Sequence, residues 1–330
     1  MTNKIIKGPN LIGSSGDSLR EAFGKTISTL AKEYPNFVVF DADVAGGTGA
    51  HHFQKSNPDR FYQFGIAEQN MMAAAGGFAS TGYIPFVTTF AVFCLRALEQ
   101  VRLSIAYSKR NVKIIASHPG LDVGPDGASA QALEDLAIFR AIPGMTVISP
   151  ADATEVRKAT EEIIKFEGPV YMRTGRSPAP RVTKDISSFK IGKGQTLING
   201  NDLTIIACGI EVARSIEAAK ILKKQNISAR VINMPTIKPI DEELIIKCSL
   251  ETGCLITAED HNIIGGLGSA VSEVIVRNAP CIMEFVGVKD CFGESGDPDE
   301  LAEKYKISAP FIVEAAMKAY ERKKKFVIKK

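Results

Sequence analysis

Short apolar runs alternate with stretches of helical period along the whole chain. Residues 37–40 (Phe-Val-Val-Phe), 84–87, 112–116, 146–149 and 170–172 read as buried strands, since each run is short and bounded by charges or turn residues. Between them, Asp17 or Ser18 can cap a helix running to about Lys32, and helices follow over 68–80, 90–108, 131–140 and 152–166. Leu95, Leu98, Val101, Leu103 and Ile105 supply the apolar positions of the 90–108 helix. Residues 120–127 are glycine-rich and read as a loop. This alternation predicts an α/β protein with two open, mostly parallel sheets flanked by helices.

The rhythm breaks at 177–195, where two early prolines and several charges carry no helical period. A second α/β unit follows, with strands at 203–207, 229–232, 254–258 and 281–285 and helices at 212–225, 241–248, 268–278 and 312–322. The expected division is a first domain over 1–186, a linker over about 177–195 and a second domain over 196–330. No internal repeat is apparent.

Composition narrows the function classes. At 330 residues, each of two domains can bury a full core. The 40 basic and 37 acidic side chains leave a net charge of +3, which makes no electrostatic case for a nucleic-acid partner. The lysines at 323–325, 329 and 330 read as a solvated end. Six cysteines (Cys94, Cys208, Cys248, Cys254, Cys281, Cys291) show no C-x-x-C spacing and read mostly as small buried hydrophobes. The polar, basic start of the chain is unlike a signal peptide, and no apolar run reaches membrane-spanning length, so a cytoplasmic protein without a membrane contact is the expectation.

The most informative stretch is 61–70, Phe-Tyr-Gln-Phe-Gly-Ile-Ala-Glu-Gln-Asn. It sets one carboxylate, Glu68, at the mouth of a helix that is otherwise nearly apolar through Ala79. Apolar surroundings penalise the charged form of a carboxylate, which suits it to share a proton with a ring nitrogen. Thr88-Thr89-Phe90-Ala91-Val92-Phe93 then brings up two aromatic rings, a fitting shelf for a flat heteroaromatic cofactor.

Gly65-Ile66-Ala67-Glu68-Gln69, Thr89-Phe90-Ala91-Val92-Phe93 and Val123-Gly124-Pro125-Asp126-Gly127-Ala128-Ser129, in that order, resemble the pyrimidine-binding domain of transketolases. The segments 142–145 (Ile-Pro-Gly-Met) and 149–152 (Ser-Pro-Ala-Asp) resemble the same family. In the second unit, Glu259-Asp260-His261 and Gly265-Gly266-Leu267-Gly268 resemble the transketolase C-terminal domain. The likeness covers nearly the whole chain.

The resemblance implies thiamine diphosphate as cofactor and transfer of a two-carbon ketol unit from a ketose phosphate to an aldose, as in the pentose phosphate pathway. It makes Glu68 the catalytic residue, bonded to the aminopyrimidine N1′, and places Phe90, Phe93, Asp43, Ile66 and Arg96 at the cofactor. Arg96 stands where many relatives carry a third aromatic. Asp126, His118 and Arg173 are the implied substrate-binding residues, Arg173 for a terminal phosphate with Arg176 as its competitor. His51 and His52 read as surface histidines. The glycine turn at 265–268 lacks dinucleotide-binding spacing and reads as a close helix–loop approach, with His261 packed beside it or bordering a subunit interface.

Two departures from the family pattern carry weight. Ala130 replaces a histidine that usually helps to hold the donor. The Gly-Asp-Gly motif and its distant asparagines, which hold the metal and diphosphate, are absent. The expectation is therefore a split enzyme, in which a separate N-terminal subunit brings Mg2+ (or another divalent cation) and the diphosphate site, as an α2β2 heterotetramer. This chain itself is expected to ligate no metal. The alternatives are a deoxyxylulose-phosphate synthase-like subunit, the β-subunit of a 2-oxo acid dehydrogenase, and a non-catalytic regulatory partner.

Overall fold

In a computed structural model of the chain, the described residues are 11–12, 16–183 and 189–327. The first residues, part of the expected linker, and Lys329 and Lys330 lie outside them. Two sheets flanked by helices form the framework, as the alternating pattern implied.

The first sheet has seven strands in the order Thr236–Lys238, Thr146–Ile148, Val170–Thr174, Lys113–Ser117, Ile84–Phe90, Phe37–Asp41 and Phe61–Gln63. All its pairings are parallel except the first, where Thr236–Lys238 runs antiparallel to Thr146–Ile148. That edge strand comes from the second half of the sequence, so the first sheet is completed from beyond the linker. The second sheet has the order Ile282–Val288, Cys254–Asn262, Leu203–Ala207, Ala229–Asn233 and Gln195–Ile198, parallel except at Gln195–Ile198. The end of the expected linker is thus an edge strand.

Side-chain caps fix the helix starts. Ser18 accepts from the Glu21 N–H at the head of Leu19–Leu30, and Asp152 accepts from the Glu155 N–H at the head of Ala153–Ile163. Asp152 also takes the N–H groups of Val182 and Thr183 at 2.7 Å each, which ties the start of the linker to the first domain.

Four expected elements differ, and one helix is added. The 90–108 helix is broken into Ala91–Cys94, a 3-10 turn Leu95–Ala97, Leu98–Gln100 and a π-helical stretch Val101–Tyr107. The cause is close packing on Glu68–Ser80: a Cβ at Gly76 would lie 2.5 Å from the Ser104 carbonyl oxygen. The 131–140 helix begins only at Asp135, and residues 121–126 of the glycine-rich loop coil into a 3-10 turn. The last helix is longer than expected, Ala309–Val327, and Pro298–Lys304 adds a helix that hydrophobic period alone did not reveal. Of the cysteines, Cys94, Cys208, Cys248 and Cys254 are buried, Cys281 half-buried and Cys291 exposed, all as free thiols. Among the described residues no helix is long and apolar enough to cross a membrane.

Two helical glycines give opposite expectations. Gly77 faces open space, whereas a Cβ at Gly24 would lie 2.0 Å from the Gly49 carbonyl oxygen. Gly77→Ala should raise stability by up to about 1 kcal/mol through helix propensity. Gly24→Ala should lower it by about 1–3 kcal/mol despite the same propensity gain. Thermal unfolding of the two variants reads both signs.

Candidate active site

The strand Phe61–Gln63 delivers the chain to the helix Glu68–Ser80, whose first residue is Glu68. Met71 and Met72 are fully buried beneath it, and Glu68 is itself only 2% exposed. Its Oε2 is buried and accepts no hydrogen bond. The nearest cation is Arg96 on the 3-10 turn, with Nη1 3.5 Å from Oε2. A buried acceptor lacking a donor is costly, so this oxygen is a ready partner for an incoming N–H.

Next to it the strand Ile84–Phe90 ends and the chain turns into Ala91–Cys94. The turn stacks Phe90 on Phe93, ring centroids 5.3 Å apart and 12° from parallel. His118 stacks on Phe90 as well, at 3.7 Å and 18°. Gly47 makes room for this wall, since a Cβ there would lie 2.6 Å from the Phe90 ring. The Gly47 carbonyl oxygen accepts hydrogen bonds from Arg20 Nη1 and Ser117 Oγ, both at 3.1 Å.

His118 sits just beyond the strand Lys113–Ser117 with a positive φ of 59°. Burial, with Arg20 and Arg176 nearby, pushes its pKa down to about 3. The imidazole is therefore neutral at physiological pH and offers hydrogen bonds, not charge. Arg20, on the first turn of Leu19–Leu30, is a residue that the sequence reading missed. Its Nε is buried without a partner.

The glycine-rich loop is held from the second unit. Asp260 takes the N–H groups of Leu121 and Asp122 at 2.8 and 3.0 Å. Asp122 in turn takes the N–H groups of Arg176 and Ser177 at 2.7 and 3.2 Å. This chain of contacts brings the exposed Asp126 side chain to 3.9 Å from Arg176. Gln131 bonds the Glu294 carbonyl at 2.9 Å, and the neighbouring Ala130 is buried.

Arg173 is paired inside the protein. It is 4% exposed, and all three of its nitrogens are engaged: Nε and Nη2 by Asp135, and Nη1 by the Asp260 carbonyl at 3.0 Å. Burial alone would push Asp135 up, but the Arg173 charge and hydrogen bonds hold it below the usual carboxylate range. Three of its five N–H donors are thereby in use inside the protein. Arg176, the competitor, is the guanidinium left partly open, beside Asp126.

The other expected positions fall as follows. Ile66 is 75% exposed on the loop leading to Glu68. Asp43 is exposed just past Phe37–Asp41, with a φ of 64° and its N–H bonded to Gln63 Oε1 at 2.9 Å. The histidines expected at the surface are half-buried. His52 pairs with Glu21 at 2.6 Å, and with His51 these form the one cluster of potential metal-ligating groups among the described residues. Two imidazoles and one carboxylate do not make the hard all-oxygen set that Mg2+ takes. At the 265–268 turn, Glu259 accepts the N–H groups of Leu267 and Gly268 at 2.7 and 2.8 Å, and a Cβ at Gly266 would lie 2.0 Å from its Oε2. The close helix–loop approach is real, and His261 is fully buried beside it.

Residues 16–181 match the family described as "Transketolase, pyrimidine binding domain", and residues 192–312 match "Transketolase, C-terminal domain". The chain belongs to the transketolase family. A putative transketolase C-terminal section from Methanocaldococcus jannaschii is 45% identical over 92% of this chain and 96% of its own length. A 6-deoxy-6-sulfo-D-fructose transketolase subunit from a Clostridium species is 41% identical over 92% and 95% of the two chains. Rat transketolase is 36% identical, but the match covers 49% of its length. A solved split-gene transketolase, described as an inactive beta4 tetramer, superposes with a TM-score of 0.87 at 48% identity, over 93% of this chain and 99% of that one. The family depends on thiamine diphosphate. The orphaned Glu68 Oε2 and the adjoining ring stack fit the aminopyrimidine half of that group.

Because the folded state holds His118 at about 3 and His261 at about 4, both pushed down first by burial, each binds fewer protons than in the unfolded chain below its ordinary pKa of about 6.5. Stability should therefore fall as pH drops from about 6.5 toward these values. His118→Asn should flatten that slope in denaturant titrations at pH 7 and pH 5.

Proposed function

We propose that this chain is the C-terminal subunit of a two-chain transketolase, which moves a two-carbon ketol unit from a ketose phosphate to an aldose. The observation that carries the proposal is the buried, donorless Glu68 Oε2 beside the Phe90–Phe93 stack. When bound, thiamine diphosphate supplies the carbon nucleophile for breaking and making the carbon–carbon bond. Glu68 exchanges a proton at Oε2 with the ring nitrogen, while Phe90 and Phe93 orient and shield the ring. Ile66, Asp43 and Arg96 would line the same site. His118, held neutral, donates or accepts at a substrate hydroxyl, and Asp126 accepts from another.

Arg20 and Arg176 are the residues that we assign to the anionic end of the substrate, in place of Arg173. Relatives named for a sulfonated ketose and for apulose 4-phosphate both act on sugars with an anionic end. Ala130 leaves the donor side less crowded than a histidine would.

The candidate site is open on one side, although Glu68 and His118 are themselves buried. Ile66 is 75% exposed and the Arg96 side chain 58%, values suited to a surface that a second chain covers. An N-terminal subunit would close it, bring the divalent cation and diphosphate site, and assemble with this chain as a symmetric heterotetramer in the cytoplasm. The reading as a deoxyxylulose-phosphate synthase-like subunit gains a likeness, since one such synthase is 35% identical over 96% of this chain and 51% of its own length. Substrate profiling with pyruvate against ketose phosphates separates the two.

Glu68→Gln should lower turnover of the reconstituted complex by about 10²–10⁴-fold, the range for loss of a general acid–base group. Turnover within a few-fold of wild type would remove Glu68 from the chemistry. Arg176→Leu should raise KM for a phosphorylated ketose by about 10-fold or more with a smaller effect on kcat, since a charge-assisted hydrogen bond is worth about 1.5–3 kcal/mol. Arg173→Leu should instead lower the melting temperature of the isolated chain, because it leaves Asp135 buried without its counter-charge.

A further inference from the structure

Glu68 and Arg96 meet in a way that the reaction alone does not require. The Glu68 side chain is 3% exposed and that of Arg96 58%. Their 3.5 Å approach is an ion pair without a hydrogen bond, so Oε2 keeps its acceptor capacity unused. Among the described residues Arg96 is the one cation in ion-pair contact with Glu68, and its guanidinium makes no hydrogen bond there. The nearby buried groups add no positive charge. Cys94 is a thiol pushed well up by burial, then by Asp135 and Glu68.

The position of Arg96 matters as much as its charge. It lies on the 3-10 turn Leu95–Ala97, one turn beyond Phe93, so it shares the wall that presents the ring stack. A long, mostly solvated side chain can swing aside while giving up little burial. A buried carboxylate needs a counter-charge, and a protonated ring nitrogen arriving at Oε2 needs the same space and the same oxygen.

We propose that Arg96 is a placeholder counter-ion. It compensates Glu68 in the cofactor-free subunit and is displaced from Oε2 when the aminopyrimidine ring nitrogen takes its place, with one proton taken up from solvent and shared between that nitrogen and the carboxylate. Arg96 is thus a positioning residue that sets the affinity of the assembled site for its cofactor. This inference rests on the assignment of Glu68 to that ring, and the test has one arm that does not.

The first arm uses the isolated chain and thermal unfolding of Arg96→Met, Glu68→Gln and the double variant. Arg96→Met should lower the melting temperature by about 2 °C or more, and adding Glu68→Gln should recover most of that loss. Strictly additive shifts would overturn the counter-ion role whatever the protein does. If the methionine variant fails to fold, Arg96→Gln takes its place in the same cycle.

The second arm titrates thiamine diphosphate with Mg2+ into the reconstituted complex by calorimetry. Arg96→Met should tighten binding by about 3–5-fold, the scale of a solvent-exposed ion pair that no longer has to be broken. Arg96→Lys should lie near wild type. Unchanged or weaker binding by Arg96→Met, with Glu68→Gln still weakening it, would overturn the displacement and leave the functional assignment standing. Unchanged binding by Glu68→Gln would instead remove the assignment on which the displacement rests.

Discussion

The buried pair of Arg173 and Asp135 is the contact on which the arrangement of this molecule depends. Arg173 lies on the first sheet, Asp135 begins the helix Asp135–Ala141, and the third acceptor is the Asp260 carbonyl on the second sheet. Tyr171 donates to the same Asp135 carboxylate. Breaking such a pair by removing one partner strands a charge in the interior, at a cost of about 3–5 kcal/mol. The same strand then uses the Asp260 carboxylate to hold the N–H groups of Leu121 and Asp122, and Asp122 holds Arg176. One buried relay thereby docks the two sheets and aims the loop that presents Asp126 and Arg176.

That relay engages every nitrogen of Arg173 within the protein. Arg173 and Arg176 are three positions apart, and both are planar forks that fit a phosphate. Burial sorts them. Arg173, at the end of a central strand, needs an internal anion. Arg176 lies past the strand end, where its backbone is fixed by Asp122 and its head remains partly in solvent. Position along a parallel strand thus separates a buried, paired arginine from a partly exposed one, and ligands of open α/β sheets gather beyond the carboxyl ends of such strands.

Much of this was legible in the sequence. Short apolar runs gave the central strands, Asp17 or Ser18 and the helical stretch from Asp152 placed two helix starts, and the string around Glu68 marked the acid. What escaped was non-local. The pairing of Thr236–Lys238 with Thr146–Ile148 joins residues far apart in the chain, and no local period reveals it. Arg20 and Arg176 both come near His118 only in the folded state, since they are far from it and from each other along the chain. The break at Val101–Tyr107 comes from the approach of another helix at Gly76, where hydrophobic spacing looks continuous. The partner of Arg173 was hidden for the same reason, since nothing local singles out Asp135 within the expected 131–140 helix.

A structure of this chain assembled with its N-terminal partner, Mg2+ and thiamine diphosphate tests the central claim most directly. The account predicts the aminopyrimidine ring against Phe90 and Phe93, its N1′ within hydrogen-bonding distance of Glu68 Oε2 (about 2.6–3.2 Å), and the diphosphate and metal on the other chain. A pyrimidine ring lodged away from Glu68, or a diphosphate and metal held wholly by this chain, would contradict it.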